Sequence, residues 1–267
     1  MSMTPTAVER AAAALMAARR DRVRIDALPA DCRPVSEADG YAVQMAYGDA
    51  MLAQEAGARR VGYKIGCTNE TAQAQLGLSA PFRGLLLSPY VLASPAEISC
   101  EAGFMRMIEA EMAFRLGEDL PAAATPYDAA SVRPAVAAVL PAIEVVDSRY
   151  TDWTTIGALH LIADNGSTGF WVCGAEITDF AAVEFSDHPV RVFRNGKAAE
   201  TGNTHNVLGN PLNVLAWLAN HLASYGLPLR QGDLITTGTT IAVNPAERGD
   251  RVVADFGPIG EVDVRFT

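Results

Sequence analysis

The sequence predicts an α+β protein in which a small helical N-terminal region, residues 1–58, packs on a β-rich main domain, residues 59–267. Three observations carry that prediction. Helix-start signals and alanine-rich runs fill the chain as far as Gly57. From Arg59 onward, short runs of Val, Ile and Phe alternate with Gly, Pro, Asn and Asp, the punctuation of successive strands. Helix and strand signals also fail to alternate in the regular order of a doubly wound parallel sheet.

Taken in order, Thr6 and Glu9 form a capping-box signal that opens a first helix ending near Arg19-Arg20. Ser36 and Asp39 repeat the signal for a second helix, which runs through Tyr41, Val43, Tyr47 and Met51 to a stop at Gly57. Val190–Arg194 followed by Asn195-Gly196 reads as a hairpin with a type I′ turn. Asn210 caps a further helix with Pro211 at its first position and Gly226 as its stop. Leu212, Leu215, Trp217, Leu218 and Leu222 supply that helix with a buried stripe. Strands near 233–237, 251–255 and 261–266 close the chain.

Composition narrows the function. The 267 residues are 49% hydrophobic, enough for a sizeable core. Arg plus Lys total 21 against 31 acids, a net charge of −10. That balance, with no basic cluster, argues against nucleic acid. No apolar run approaches the length of a membrane span, and the N-terminal stretch lacks a secretory h-region. The expectation is a soluble, cytoplasmic protein. Cys32, Cys67, Cys100 and Cys173 lie far apart and read as reduced thiols. No glycine-rich phosphate loop opens a helix, so a nucleotide cofactor is not expected.

Two features point to chemistry. The chain has only two lysines, Lys64 and Lys197, so its positive charge is almost wholly arginine. Lys197 follows a turn, whereas Lys64 sits in the apolar, glycine-flanked Val61–Gly66. A partly buried lysine can release its proton near neutral pH and arginine cannot. Lys64 is therefore a candidate acid/base, although an amphipathic strand with a snorkelling lysine fits equally well. The second feature is acidic. Glu109 and Glu111, two residues apart in an apolar strand, share one face, and Glu144 lies in a second apolar strand. Buried neighbouring carboxylates repel unless a cation intervenes. An all-oxygen set favours Mg²⁺ or Mn²⁺, with positions left for a chelating 2-oxo acid. The alternative is a solvent-facing edge strand.

The ordered motifs extend this reading. They run from Ala38–Gln44 through Lys64-Ile65-Gly66-Cys67-Thr68, Gln75-Leu76-Gly77 and Ile108–Glu111. They continue with Pro141–Arg149, Ala163–Ser167, Leu208–Asn213, Gly232-Asp233 and Ala254–Gly257. Their sum resembles the 2-keto-4-pentenoate hydratase/4-oxalocrotonate decarboxylase group of the fumarylacetoacetate hydrolase superfamily. The resemblance implies a mixed β-roll, Mg²⁺ or Mn²⁺ on Glu109, Glu111 and Glu144, and Lys64 as acid/base. It also places Ser167 near the substrate and Thr237-Gly238-Thr239 in a substrate-side loop, with Gly238 and Thr239 as binding positions. The implied function is a metal-dependent hydro-lyase of aromatic catabolism acting on a small 2-oxo acid, assembled as a homo-oligomer. Decarboxylase, enol–keto tautomerase and a non-catalytic partner subunit are the alternatives.

Two departures bear on the reaction. The hydratases carry Pro-Asp-Phe-Gly where this chain has Pro81-Phe82-Arg83-Gly84, which removes an acid and suggests Arg83 as a binding group for a second substrate carboxylate. Met107 stands where a basic residue is usual. No histidine precedes His160, which disfavours the His-Glu water activation of the superfamily's C–C hydrolases. His221 falls on the striped helix and reads as structural.

Overall fold

The structure, a computed structural model, describes residues 2–267. The chain opens with helices α1 (Pro5–Asp21) and α2 (Glu37–Leu52), followed by strand β1 (Arg60–Gly66). A short helix α3 (Glu70–Leu76) precedes strands β2 (Phe82–Leu87), β3 (Val91–Ala93), β4 (Ala96–Ile98) and β5 (Met107–Leu116). Next come α4 (Ala129–Val132), β6 (Val136–Val146), α5 (Ala158–Ala163), β7 (Thr168–Cys173), β8 (Pro189–Arg194) and β9 (Lys197–Asn203). Helix α6 (Pro211–Ser224) then leads into β10 (Leu234–Thr236), β11 (Asn244–Pro245), β12 (Arg251–Asp255) and β13 (Glu261–Phe266).

Local chemistry accounts for most of these boundaries. Thr4, not Thr6, caps α1, because Pro5 fits the first helical position and the Thr4 hydroxyl accepts the Ala7 N–H. Ser36 caps α2 as expected and accepts the Asp39 N–H. The helix ends at Leu52, before Gly57. The Asn195-Gly196 turn takes positive φ at both residues, 53° and 76°, as a type I′ hairpin requires. Asn210 accepts the Leu212 N–H at the start of α6. The helices α3, α4 and α5 fall in a region expected to be β alone. α3 is short and polar, but Asn69 caps it by accepting the Ala72 N–H.

The larger sheet has the order β2-β1-β10-β5-β6-β7-β3, with β11 paired to β5; the smaller has the order β4-β13-β12-β8-β9. Both are mixed: β1–β10, β3–β7 and β4–β13 are parallel. The larger sheet curls as a half-barrel. Leu86 of β2 and Trp171 of β7, far apart in strand order, pack in one cluster with Ala113 and Leu140. The convex face carries the main core. Ile108, Ala110, Met112 and Phe114 of β5 join it, as do Leu15 of α1, Tyr47 of α2 and Leu215 of α6. The period of two along β5 thereby leaves Glu109 and Glu111 on the concave side.

Candidate metal centre

Three strands bring the site together on the concave face. In the antiparallel β5–β6 ladder Glu109 lies directly opposite Glu144, and Glu111 lies opposite Ala142. One carboxylate oxygen from each of Glu109, Glu111 and Glu144 falls within 4.8 Å of the others. Glu111 and Glu144 are fully buried. Lys64 enters from β1, 3% exposed, with its Nζ 3.1 Å from Glu144 Oε1. The Lys64 charge is thus enclosed with the acids; it does not snorkel to water.

The electrostatics show an unresolved surplus of negative charge. Burial, then repulsion from Glu144, pushes the Glu109 carboxyl up to about 7. Burial, then Glu144 and Glu109, holds Glu111 well above its usual value. Burial raises Glu144 as well, against the pull of Lys64. For Lys64, burial disfavours the ammonium, but the three glutamates together outweigh it and raise its pKa. Both oxygens of Glu111 and the Oε2 of Glu144 lack a hydrogen-bond donor, and Glu144 Oε1 has only the Lys64 ammonium at 3.1 Å. Buried acceptors without donors are rare and costly. A hard divalent cation fits this donor set: three carboxylates, oxygen only, and converging.

The cluster opens on a cavity of about 470 Å³. Lys64, Glu109, Ser167, Gly238 and Thr239 line it, so five expected site residues meet in one place. Ser167 is 3% exposed, its Oγ has no partner, and its φ of 58° is left-handed. Asn165 and Gly166 are left-handed too, at 53° and 63°. Consecutive residues held there store strain that surrounding contacts must offset. Arg149 supplies those contacts. Its Nη2 donates to the Asp164 carbonyl, its Nη1 to the Thr168 carbonyl, and it pairs with the Asp164 carboxylate. Gly238 packs on Thr68 so closely that a Cβ would lie 2.0 Å from the Thr68 Oγ1.

One expected binding residue is misplaced. Arg83 does not line the cavity. Across β1–β2, Lys64 faces Gly84 and Gly66 faces Phe82, while Arg83 pairs with Ile65. Alternation therefore turns Arg83 to the convex side, where it is 1% exposed, donates to Gln44 Oε1 at 2.8 Å and stacks 4.2 Å from the Tyr41 ring. Phe82 takes the cavity position, 5.8 Å from Lys64 Nζ. His221 stacks on Trp217 at 4.7 Å, outside the cavity. The sequence reading missed Trp153, Thr154 and Thr155, which line the cavity from a loop, and the Arg149–Asp164 clamp. The clamp lies within the quoted motifs, but nothing local marked its role; the loop has no signal at all.

A half-barrel with three convergent glutamates, two of them fully buried, beside a lysine defines an α+β protein with a carboxylate cation centre. Residues 87–267 match the fumarylacetoacetate (FAA) hydrolase C-terminal family. The chain is 33% identical over 258 residues to 2-keto-4-pentenoate hydratase 1 of Dechloromonas aromatica (strain RCB), covering 97% of this chain and 96% of that one. It is 33% identical over 218 residues to 2-hydroxyhexa-2,4-dienoate hydratase of Comamonas testosteroni, 81% of each. Among solved structures it is similar to 4-oxalocrotonate decarboxylase from Pseudomonas putida G7, complexed with magnesium and adipate. That match has a TM-score of 0.92 and 28% identity, and covers 100% of this chain and 99% of the other. The chain belongs to the fumarylacetoacetate hydrolase family.

Proposed function

We propose that the chain is a divalent-metal-dependent lyase of small 2-oxo and 2-hydroxydienoic acids, acting as a 2-keto-4-pentenoate hydratase. One observation carries the reading: Lys64 pairs with Glu144 of a three-glutamate cluster, and Lys64, Glu109 and Ser167 line one cavity. The hydratase relatives, at 33% identity, support the choice of reaction.

A Mg²⁺ or Mn²⁺ ion held by Glu109, Glu111 and Glu144 would supply Lewis acidity toward the neighbouring keto and carboxylate oxygens of a 2-oxo acid. The Lys64 ammonium, held charged by the glutamates, gives a proton to the end of the diene. The amine so formed takes up the proton of the 2-hydroxyl, which leaves a conjugated alkene and restores the ammonium. Water adds across that alkene. The Ser167 Oγ, with no protein partner, hydrogen-bonds a substrate oxygen, and the Gly238-Thr239 backbone bounds the same space. Phe82 keeps water from one side of Lys64. Where hydratases carry an acid, Phe82 favours a second reading, in which the dienolate is protonated without hydration, or is itself formed by loss of CO₂ from a vinylogous 2-oxo diacid.

The test is the ketonisation of 2-hydroxypenta-2,4-dienoate, followed by loss of the dienol absorbance with Mg²⁺ and with chelator. Product analysis then separates 4-hydroxy-2-oxopentanoate from the unhydrated 2-oxo acid, and CO₂ release from 2-oxohex-3-enedioate tests the decarboxylase reading. Full activity of Glu109→Gln without added metal would overturn the reading. We further propose, on the family resemblance, a cytoplasmic homo-oligomer with residues 1–58 as a helical region and 59–267 as the catalytic domain. Among the described residues, no helix is long and apolar enough to cross a membrane.

A further inference from the structure

The cavity is larger than the simplest substrate needs. At the roughly 30 Å³ that a water-sized group occupies in a liquid, the eight or so heavy atoms of a five-carbon acid fill about half of it. Its volume of about 470 Å³ lies within the ~300–1,000 Å³ range of pockets that enclose drug-sized ligands.

The lining decides what fills the remainder. Among the described residues, Lys64 and Glu109 are the charged side chains that line the cavity. Lys64 is held against Glu144 at 3.1 Å, so its ammonium is committed to the glutamate cluster. Arg83, next in sequence to the lining residue Phe82, points to the opposite side of the sheet. A distal carboxylate would therefore lose water without gaining a cation. Leu76, Phe82, Trp153, Leu161 and Val243 instead offer apolar surface, on which each added methylene gains affinity.

We propose that this site selects 2-oxo and 2-hydroxydienoic acids with a single carboxylate and an apolar chain longer than five carbons, and rejects the matching dicarboxylates. The inference rests on the reading of the cavity as a 2-oxo-acid site. It is separable from the catalytic step, because saturated 2-oxo acids bind without carrying the diene that reacts.

Titration calorimetry in Mg²⁺ with 2-oxopentanoate, 2-oxohexanoate, 2-oxooctanoate and 2-oxoadipate provides the test. The octanoate should bind about tenfold tighter than the pentanoate, and the adipate about tenfold weaker than the hexanoate of equal length. Trp153→Ala should shrink the gain from chain length. Thr154→Arg, on an exposed loop at the cavity wall, should raise affinity for 2-oxoadipate by supplying the missing cation. An adipate that binds the unaltered protein as tightly as the hexanoate overturns the proposal, as does an affinity that does not rise with chain length. Absence of dienoate turnover with the expected affinity order intact would defeat the catalytic reading alone. Failure of all four acids to bind would remove both.

Discussion

Lys64 and Arg83 are cations on adjacent strands, and their fates differ by one step of strand parity. Lys64 shares the concave face with Glu144; Arg83 lies among Tyr41, Tyr63 and Tyr225 on the other side. Rarity marked the lysine in the sequence, and two-residue spacing marked Glu109 and Glu111. The face of Arg83 was not legible, because it depends on the register of β2 against β1. The local Pro-Phe-Arg-Gly string carries no record of that register. Arginine retains charge but does not release its proton. Lys64→Arg should therefore lower ketonisation by about 10²-fold or more while leaving Mg²⁺ affinity by calorimetry within a few-fold. Activity within tenfold of the unaltered protein would remove Lys64 from the acid/base role.

At the scale of elements, caps and turns were legible where a side chain satisfies a nearby backbone group. Ser36 and Asn210 are the instances, and Asn195-Gly196 was legible because both residues tolerate positive φ. What the sequence could not show is that β1 runs parallel to β10, some 170 residues downstream, with Gly62 opposite Leu234. Parallel pairing has no local turn to announce it. It is nevertheless what sets the Lys64 strand near β5, since β10 lies between them. The approach is close: a Cβ on Gly62 would lie 1.8 Å from the Leu234 carbonyl oxygen. Gly62→Ala should therefore cost about 3 kcal/mol, seen as a lower denaturant midpoint. An unchanged midpoint would mean that the two strands separate without penalty.

Over the whole molecule, the buried acids link folding, protons and metal. Glu109 ionises near 7 in the folded protein, against 4.5 ordinarily, so the folded state holds a proton that the unfolded chain has released. That contribution is complete below about 4.5 and is lost as pH rises through 7. His221, lowered to about 4 by burial and then by Arg83, acts in the opposite sense, with stability falling as pH drops below its usual 6.5. A cation replaces the Glu109 proton and leaves His221 untouched. The Tm gained on adding Mg²⁺ to chelator-treated protein should therefore grow between about pH 5 and 8. At 100 times its Kd the ion contributes about 2.7 kcal/mol. A gain independent of pH would place the ion elsewhere.

The β5–β6 ladder that sets Glu109 opposite Glu144 has a consequence for how the molecule matures. A slip of one residue would carry Ile108 or Ala110 to the concave side opposite Glu144 and bury two glutamates in the main core. Such a misthreaded chain could not chelate. Loading of the ion would thus audit the pairing of the two strands: it rewards the correct alignment, discriminates against its neighbours, and makes the reagent of the reaction a quality-control mark of completed assembly.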